Sequence, residues 1–257
     1  MTGDERVFAG HSPALTLTGE RTLPGIWHEN YWFRRHEVVY RWLVDRVGPR
    51  VLEAGSGEGY GAQALLDGAP DRRVVAVDYD DAAARHSNRR YPDLGVVRGN
   101  LVGLPFRAES FDTVVSLQTV EHLWDQPGFV AECARVCRRG GQFVVSTPNR
   151  LTFSPGVRRG EKPLNPFHVN ELDAEELVDL LGSAFDVAAV LGVRHGPRIT
   201  AWEAEHGDLV AAQLAGPPAG WAAPLTDLVA ALTADDFLIG PDDVDGSLDL
   251  LVEGCRR

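Results

Sequence analysis

The stretch that decides the fold is VLEAGSGEGYGAQAL, residues 51–65. An apolar run is followed there by four glycines within seven positions, Gly55, Gly57, Gly59 and Gly61. Glycines at this spacing let the backbone turn tightly and approach a ligand closely, and helix-compatible sequence follows them. The pattern predicts a nucleotide-binding loop between a buried strand and a helix.

The loop departs from the fingerprint of dinucleotide-binding proteins. That fingerprint, G-x-G-x-x-G, requires a third glycine at position 60, where this chain has Tyr60. The chain has instead an acidic residue at the end of the first strand, Glu53, and a second strand that ends in Asp78. A carboxylate at that second position can accept hydrogen bonds from both hydroxyls of a ribose. These residues favour a nucleoside ligand other than a dinucleotide.

From residue 50 onward, runs of β-branched residues alternate with stretches of helix-compatible length. The predicted strands are RVLEAG (50–55), RRVVAVDY (72–79), LGVVRGN (94–100), FDTVVSLQ (111–118), GGQFVVSTP (140–148), FDVAAVLGV (185–193) and GSLDLLVEG (246–254). This alternation predicts an α/β fold with a parallel, doubly wound sheet. Residues 196–240 predict a small helical insertion before the last strand.

Two helices carry clear signals. Residues 127–139, PGFVAECARVCRR, predict an amphipathic helix that places Cys133 and Cys137 on one buried face and ends at Gly140. In NELDAEELVDLLGS, residues 170–183, the spacing of Asp173 and Glu176 predicts a capping box.

Residues 1–49 precede the first strand and contain the aromatic and basic sequence GIWHENYWFRRHEVVYRWLVDRV (25–47). We predict a helical segment here that either covers the mouth of the pocket as a lid or packs on the sheet edge. The chain is thereby divided into this segment and a main domain at residues 50–257.

The composition excludes several classes of protein. A chain of 257 residues that is 44% hydrophobic can fill one large core. The net charge of -12, without a long Lys/Arg block, gives little support for nucleic-acid binding. No apolar run reaches the roughly 18 residues of a membrane span, and the first residues lack an export signal, so a cytoplasmic location is predicted. Three cysteines without a CxxC pair argue against a disulfide framework or structural zinc.

The glycine loop and the two acidic strand ends resemble class I methyltransferases that depend on S-adenosylmethionine. RGNLVGLPF (98–106) and VVSLQTVEHL (114–123) match further motifs of that family. The resemblance implies a Rossmann-like, seven-stranded sheet whose last strand, residues 247–252, is antiparallel. It also implies cofactor-binding roles for Glu53, Gly55, Gly57, Asp78, Tyr79, Asn100, Leu101 and Gln118.

The same resemblance assigns the carboxylate end of the cofactor to an aromatic-and-arginine helix ahead of the first strand. Arg35, together with Tyr31, is the candidate. Arginine suits a carboxylate because it forms two parallel hydrogen bonds. An anionic acceptor is the alternative partner for Arg34 or Arg35.

The likeness extends to LTGERTLPGIWHENYWFRRHEVVY (17–40), STPNRLTFSPG (146–156) and LNPFHVNEL (164–172). Together these are similar to actinobacterial O-methyltransferases linked to glycans, such as those proposed for the mycobacterial methylglucose lipopolysaccharide. The resemblance implies methyl transfer to a hydroxyl of a sugar, oligosaccharide or polysaccharide precursor. The predicted partner is thus a small-molecule or oligosaccharide acceptor, with no membrane or nucleic acid, and a homodimer is left open.

The catalytic candidates follow the fourth and fifth strands, because ligands of open α/β sheets bind at the carboxyl ends of the strands. They are Glu121, His122 and His168. A neutral imidazole at His122 or His168 can serve as a general base for a hydroxyl near pH 7. His195 and Arg198 are further candidates for substrate contact.

A divalent metal is a related expectation. Some O-methyltransferases that this chain resembles carry E-x-x-E-H after the fourth strand and bind a divalent ion there. Here Gln118 replaces the first carboxylate, which removes a charge from a site for a hard cation such as Mg²⁺. Any metal would be held by Glu121, His122 and His168.

Three alternatives to sugar O-methylation stay open. The first is O- or N-methylation of another small molecule, such as a natural product or a quinone-type acceptor. A nucleotide-sugar oxidoreductase is disfavoured by Tyr60. The third is a non-catalytic module that binds the cofactor.

Overall fold

The computed structural model describes residues 15–17 and 19–257. Its centre is an eight-stranded sheet in the order β3-β2-β1-β4-β5-β8-β6-β7. The strands are β1 Arg50–Ala54, β2 Arg73–Asp78, β3 Gly95–Arg98, β4 Phe111–Leu117, β5 Cys137–Pro148, β6 Phe185–His195, β7 Phe237–Gly240 and β8 Asp249–Arg256. The predicted Rossmann-like α/β fold is confirmed.

The direction of the strands follows the prediction, and one strand is added. Strands β1 to β5 are parallel, and β8 runs antiparallel to both β5 and β6. The expected seven strands become eight because β7, at the end of the predicted insertion, pairs with β6. Its four residues are too few to stand out as a periodic run in the sequence.

Helices cover the two faces of the sheet. They are α1 Asn30–Leu43, α2 Tyr60–Asp67, α3 Asp81–Arg90, α4 Gln126–Val136, α5 Arg150–Phe153, α6 Ala174–Gly182, α7 Pro197–His206, α8 Leu209–Leu214 and α9 Ala223–Ala231. Helices α7 to α9 form the predicted insertion. One apolar layer includes Phe33, Leu43 and Leu65 on the face of α1 and α2, and the other includes Phe129 and Leu177 on the face of α4 and α6.

The capping box of α6 is confirmed, since Asp173 and Glu176 bond reciprocally to the backbone. The predicted C-terminal end of the helix at residues 127–139 was wrong. Helix α4 ends at Val136, and Cys137 is the first residue of β5, where it pairs with Phe111. Apolar spacing alone could not separate the last helical turn from a buried strand start. Cys133 and Cys137 are both buried.

The N-terminal segment predicted as a lid is described only in part, because residues 1–14 and 18 lie outside the described residues. Helix α1 packs on the domain and contacts α2 and β7. In the part of the chain that the structure covers, each helix is too short or too polar to cross a bilayer.

The contact between α1 and α2 predicts a stability effect. A Cβ at Gly61 would lie 2.0 Å from Cζ of Tyr40, so Gly61→Ala forces the tyrosine ring to move. We expect Gly61→Ala to lower the free energy of unfolding by about 1 to 3 kcal/mol, measured in urea. Gly182→Ala is the control, because a Cβ at the end of α6 meets nothing within 4 Å. Equal stability of the two variants would contradict the tight contact.

Candidate cofactor and acceptor site

A cavity of about 360 Å³ opens at the carboxyl ends of the parallel strands. This is the edge at which α/β sheets bind ligands. Its wall consists of Glu20, Arg21, Thr22, His36, Tyr40, Gly55, Ser56, Gly57, Glu58, Tyr60, Asp78, Tyr79, Asp80, Asn100, Leu101, Leu117, Gln118, Thr119, His122 and Leu123. The cavity therefore unites the glycine loop, the acidic end of β2 and the start of the fourth-strand motif.

The glycine loop places bare backbone on the cavity wall. Gly55 and Gly57 have φ values of +88° and +54°, in the left-handed region that side chains disfavour. A Cβ at Gly55 would lie 2.3 Å from Oγ1 of Thr119, whereas one at Gly57 would meet nothing within 4 Å. Gly55 is thus required for packing, and Gly57 leaves open space for a ligand.

Asp78 lies at the end of β2 on the cavity wall. Its Oδ2 accepts a hydrogen bond from the Gly57 amide at 2.7 Å, and its Oδ1 accepts one from the Asp80 amide at 2.8 Å. Burial raises the pKa of Asp78, and the two backbone hydrogen bonds oppose that rise. The carboxylate is therefore fixed in position, with lone pairs left for a ligand.

Three further residues that the sequence analysis assigns to the cofactor lie on the cavity wall. Tyr79, which is 70% exposed, Asn100 and Leu101 all line the wall. The Asn100 side chain accepts a hydrogen bond from the Val102 amide at 3.1 Å, which holds the turn after β3.

Glu53 lies behind the cavity wall and is fully buried. The Tyr40 hydroxyl donates to its Oε1 at 2.5 Å. Burial raises the pKa of Glu53 to about 8, although the hydrogen bond from Tyr40 lowers it. Glu53 therefore contacts the cavity only indirectly, through the Tyr40 side chain that lines the wall.

Residues 19–22, which we call the N-terminal strap, contribute Glu20, Arg21 and Thr22 to the cavity wall. Arg21 forms an ion pair of 2.7 Å with Asp80, and the Thr22 hydroxyl lies 3.0 Å from the Tyr60 hydroxyl. Sequence reasoning missed these wall residues, because the partner of Arg21 is 59 positions away along the chain. His36, also on the wall, has a pKa lowered to about 3 by burial, so its ring is neutral there.

The strap predicts a kinetic effect. Because the Arg21–Asp80 pair fixes the strap at the cavity wall, we expect Arg21→Ala to speed the dissociation of S-adenosylhomocysteine by about two- to fivefold, as fits a partly exposed pair. Stopped-flow displacement measures this rate. Arg85→Ala, which breaks an exposed pair with Asp81, is the control. Equal rates in all three proteins would show that the strap does not cover the ligand.

Tyr31 and Arg35 are not on the cavity wall. Arg35 is buried with its Nε 2.9 Å from Oδ2 of Asp249, at the start of β8. The Tyr31 hydroxyl lies 2.8 Å from Nε2 of His195, whose Nδ1 donates to Glu203 at 3.1 Å. The structure thus gives both residues partners inside the protein.

Two further candidates for substrate contact are also accounted for within the fold. The Nε2 atom of His195 lies against Tyr31, as described. Arg198 donates to the Ala231 carbonyl at 3.0 Å and lies 3.4 Å from Asp236. Neither residue lines the cavity.

Gln118 connects the cofactor side of the cavity to the acceptor side. It lines the wall directly after β4, and its φ of +52° is in the left-handed region. Its side-chain amide donates to the Ser146 hydroxyl at 3.0 Å. Strained backbone of this kind is found preferentially at functional sites.

The geometry of His122 suits a general base. Its Nδ1 lies 3.0 Å from the Phe167 carbonyl oxygen, which can only accept, so Nδ1 carries the proton. In the neutral ring, Nε2 therefore keeps its lone pair. Nε2 lies 3.9 Å from Oε1 of the buried Glu121, whose Oε2 accepts from the Thr147 hydroxyl at 2.9 Å.

His168 is brought beside His122, with 4.9 Å between ring centroids. Both of its nitrogens have partners. Nδ1 donates to Oε1 of Glu171 at 2.6 Å, and Nε2 accepts from the Asn165 amide at 3.0 Å. The amide orientation is fixed, because the Asn165 oxygen accepts from the Phe167 amide. His168 is consequently less available than His122 to take a proton.

The predicted metal ligands do meet. Ligand atoms of Glu121, His122 and His168 lie within 4.8 Å of one another. Both histidines donate Nδ1–H to an oxygen, which is typical of metal-bound imidazoles. However, one carboxylate and two imidazoles fit Mg²⁺ poorly, since that ion prefers oxygen ligands. The set is closer to that of a transition metal, and Asn165 would have to leave His168 first.

The cofactor side fits S-adenosylmethionine. The ligand has no phosphates and needs close backbone approach, which Gly57 offers, and a carboxylate for its ribose, which Asp78 offers. Among the described residues, the buried Ser56 hydroxyl on the wall has no hydrogen-bond partner. Such an unsatisfied group is expected where a polar ligand binds.

Comparisons with known proteins agree with this geometry. A sequence profile described as a methyltransferase domain matches residues 52–145. A probable S-adenosylmethionine-dependent methyltransferase of Mycolicibacterium smegmatis is 52% identical over 251 residues, which cover 95% of this chain and 96% of that protein.

Two more distant proteins show how far the likeness extends. A demethylmenaquinone methyltransferase of Renibacterium salmoninarum is 33% identical over 119 residues, 45% of this chain and 49% of that protein. The solved structure of geranyl diphosphate methyltransferase with S-adenosylmethionine superposes with a TM-score of 0.59 at 17% identity, over 91% of this chain and 93% of the other. At that identity the similarity shows the fold alone.

Proposed function

Since the chain belongs to the S-adenosylmethionine-dependent methyltransferases, we propose that it transfers the methyl group to a hydroxyl of a sugar, oligosaccharide or polysaccharide precursor. The observation that carries the proposal is the lone pair of His122 Nε2 at the cavity wall. A hydroxyl is a poor nucleophile until its proton is removed, and a base beside the methyl donor meets that need.

The residues have separate tasks in this mechanism. When bound, S-adenosylmethionine supplies an activated methyl group whose C–S bond breaks as the C–O bond to the acceptor forms. Asp78 and the glycine loop hold the nucleoside, so that the methyl group is placed against the acceptor oxygen. His122 Nε2 takes the hydroxyl proton, and the carboxylate of Glu121 stabilises the imidazolium that results. The proton then passes to solvent.

Several features support a neutral, hydroxyl-bearing acceptor. The net charge of -12 opposes the approach of an anionic acceptor. Arg35, the residue that could have bound an acceptor carboxylate, is paired with Asp249. The glycan class itself rests on the resemblance of residues 17–40, 146–156 and 164–172.

The second candidate is methylation of a quinone-type acceptor or another small natural product. It is favoured by the partial similarity to a demethylmenaquinone methyltransferase. A non-catalytic role as a cofactor-binding module is the remote alternative, and the retained His122–Glu121 pair argues against it.

The test is a transfer assay with S-adenosylmethionine carrying a deuterated methyl group. Methyl glucoside, maltohexaose and a short-chain menaquinol precursor are offered in parallel, and products are identified by mass and by the chemical shift of the new methyl group. An O-linked methyl on the glycan supports the proposal. Label on the quinone precursor alone would transfer the assignment to the second candidate.

Repeating the transfer assay with EDTA distinguishes a role of His122 as general base from a role as metal ligand. Of the three candidate metal ligands only His122 lines the cavity, so the affinity for S-adenosylhomocysteine is measured with and without EDTA. We expect it to change little, because Asp78 and the glycine loop hold the nucleoside without a metal. If EDTA abolishes transfer and Mn²⁺ restores it, Glu121, His122 and His168 are metal ligands and the role of His122 as base is withdrawn.

A further inference from the structure

Two exposed aromatic side chains flank His122. Trp124 follows it by two positions and is 90% exposed, and Phe167, whose carbonyl accepts from His122, is 44% exposed. We call Trp124 and Phe167 the aromatic rim. The intervening Leu123 lines the cavity, so Trp124 directly follows a wall residue along the chain. An indole this exposed leaves a large apolar surface in contact with water. At a binding site, such a surface indicates a contact with a ligand.

The backbone under the rim is rigid. Trp124 lies between the 3₁₀ turn Val120–His122 and Asp125, the N-cap of α4, whose carboxylate accepts from the Gly128 amide at 2.8 Å. The Phe167 amide donates to the Asn165 side chain at 3.0 Å. A fixed backbone that presents an exposed ring is preorganised for binding, because little flexibility is lost when the ligand arrives.

On the other side, the Phe167 ring supports the N-terminal strap. A Cβ at Gly19 would lie 3.0 Å from Cε2 of Phe167, so the strap and the ring are in close contact. Phe167 therefore contacts the strap through its ring and His122 through its carbonyl.

The chemistry of the rim favours a sugar over a membrane. A pyranose has a flat C–H face that packs on an aromatic ring while its hydroxyls stay in water, and Trp suits such amphipathic contacts. The chain carries a net charge of -12, which repels the anionic surface of a lipid bilayer. A sugar hydroxyl that reaches Nε2 of His122 must lie inside the cavity, so the next sugar of the acceptor emerges at the rim.

We propose that Trp124, assisted by Phe167, binds the sugar residue next to the one that is methylated, so that the acceptor is an oligosaccharide. This inference rests on the proposed function and adds a specificity-determining residue to it. The methyl transfer itself is unchanged, because the rim touches the acceptor and not the reacting atoms.

The test compares methyl α-glucoside with maltohexaose in two experiments. Calorimetry in the presence of S-adenosylhomocysteine measures the affinity for each sugar, and a transfer assay with S-adenosylmethionine measures kcat and KM. We expect the wild-type protein to bind maltohexaose about tenfold more tightly than the monosaccharide, as a buried Trp contact allows. Trp124→Ala is expected to remove this difference by raising KM while kcat is retained, and Trp124→Phe to keep part of it. The control is Leu214→Ala, which removes a 71% exposed apolar side chain from the insertion.

Three outcomes would overturn the inference. The first is that the wild-type protein binds methyl α-glucoside and maltohexaose with equal affinity. The second is that Trp124→Ala binds maltohexaose as tightly as the wild type does. The third is that the protein binds no glycan but sediments with phosphatidylcholine–phosphatidylglycerol vesicles in a way that depends on Trp124. The calorimetric affinity for S-adenosylhomocysteine is measured on every variant. Because Trp124 is not part of the cavity wall, retention of this affinity in the Trp124 variants separates failure of this inference from failure of the cofactor site.

Discussion

Asp78→Ala is expected to weaken the binding of S-adenosylhomocysteine by about 1 to 3 kcal/mol, the usual loss when hydrogen bonds to a charged group are removed. The carboxylate is held at the cavity by the amides of Gly57 and Asp80, and it is the acidic wall residue at the end of β2. Its loss removes the acceptor for the ribose hydroxyls. Isothermal titration calorimetry measures the change directly.

The matched control is Asp81→Ala. Asp81 is the first residue of α3 and is not part of the cavity wall. Wild-type affinity is expected for this control. The affinity of the wild-type protein should also fall on acidification as Asp78 is protonated, from a higher pH than for an ordinary aspartate, because burial raises its pKa. Unchanged affinity in Asp78→Ala would remove this residue from the site.

His122→Ala is expected to slow methyl transfer by roughly 100-fold or more, the usual share of a general base. Nδ1–H is held by the Phe167 carbonyl and Nε2, which lies 3.9 Å from Oε1 of Glu121, keeps its lone pair, so the ring is already in the tautomer that accepts a proton. Cofactor affinity should stay close to that of the wild type. Single-turnover kinetics with a labelled methyl group measures the chemical step.

The control for His122 is His206→Gln, which changes a histidine of the insertion whose ring stacks on Trp202. It should leave the rate of transfer unchanged. Full activity of His122→Ala would contradict the assignment and would direct attention to His168, despite the hydrogen bonds at both of its nitrogens.

The cofactor side of the site could be predicted from the sequence because its signals are local. Gly55 and Gly57 lie in one loop, and Asp78 is the last residue of a six-residue strand whose β-branched run is evident in the sequence. The carboxyl ends of parallel strands meet at one edge, so the pairing of these residues follows from the fold class alone.

The contacts made by the segment before β1 could not be predicted in the same way. Arg35 was expected at the cofactor carboxylate, but the structure places it beside Asp249, whose position depends on how β8 inserts between β5 and β6. Arg21 is held at the cavity by an ion pair with Asp80, and no local sequence pattern predicts this pair. Such long-range contacts are fixed by packing and leave little periodic trace in the sequence.

The acceptor side lies between these cases. The position of His122 after β4 could be predicted from its place in the chain, whereas the approach of His168 to within 4.9 Å required the path of the 154–172 loop. The tautomers of both rings depend on backbone and amide partners that only the fold supplies.

The most direct test of the central claim is single-turnover transfer of a deuterated methyl group from S-adenosylmethionine to maltohexaose, with wild-type and His122→Ala protein side by side. We expect a labelled methyl ether on the glycan with the wild-type protein and a transfer rate lower by about two orders of magnitude with the variant. A wild-type protein that binds S-adenosylhomocysteine but labels no hydroxyl of any glycan offered would contradict it.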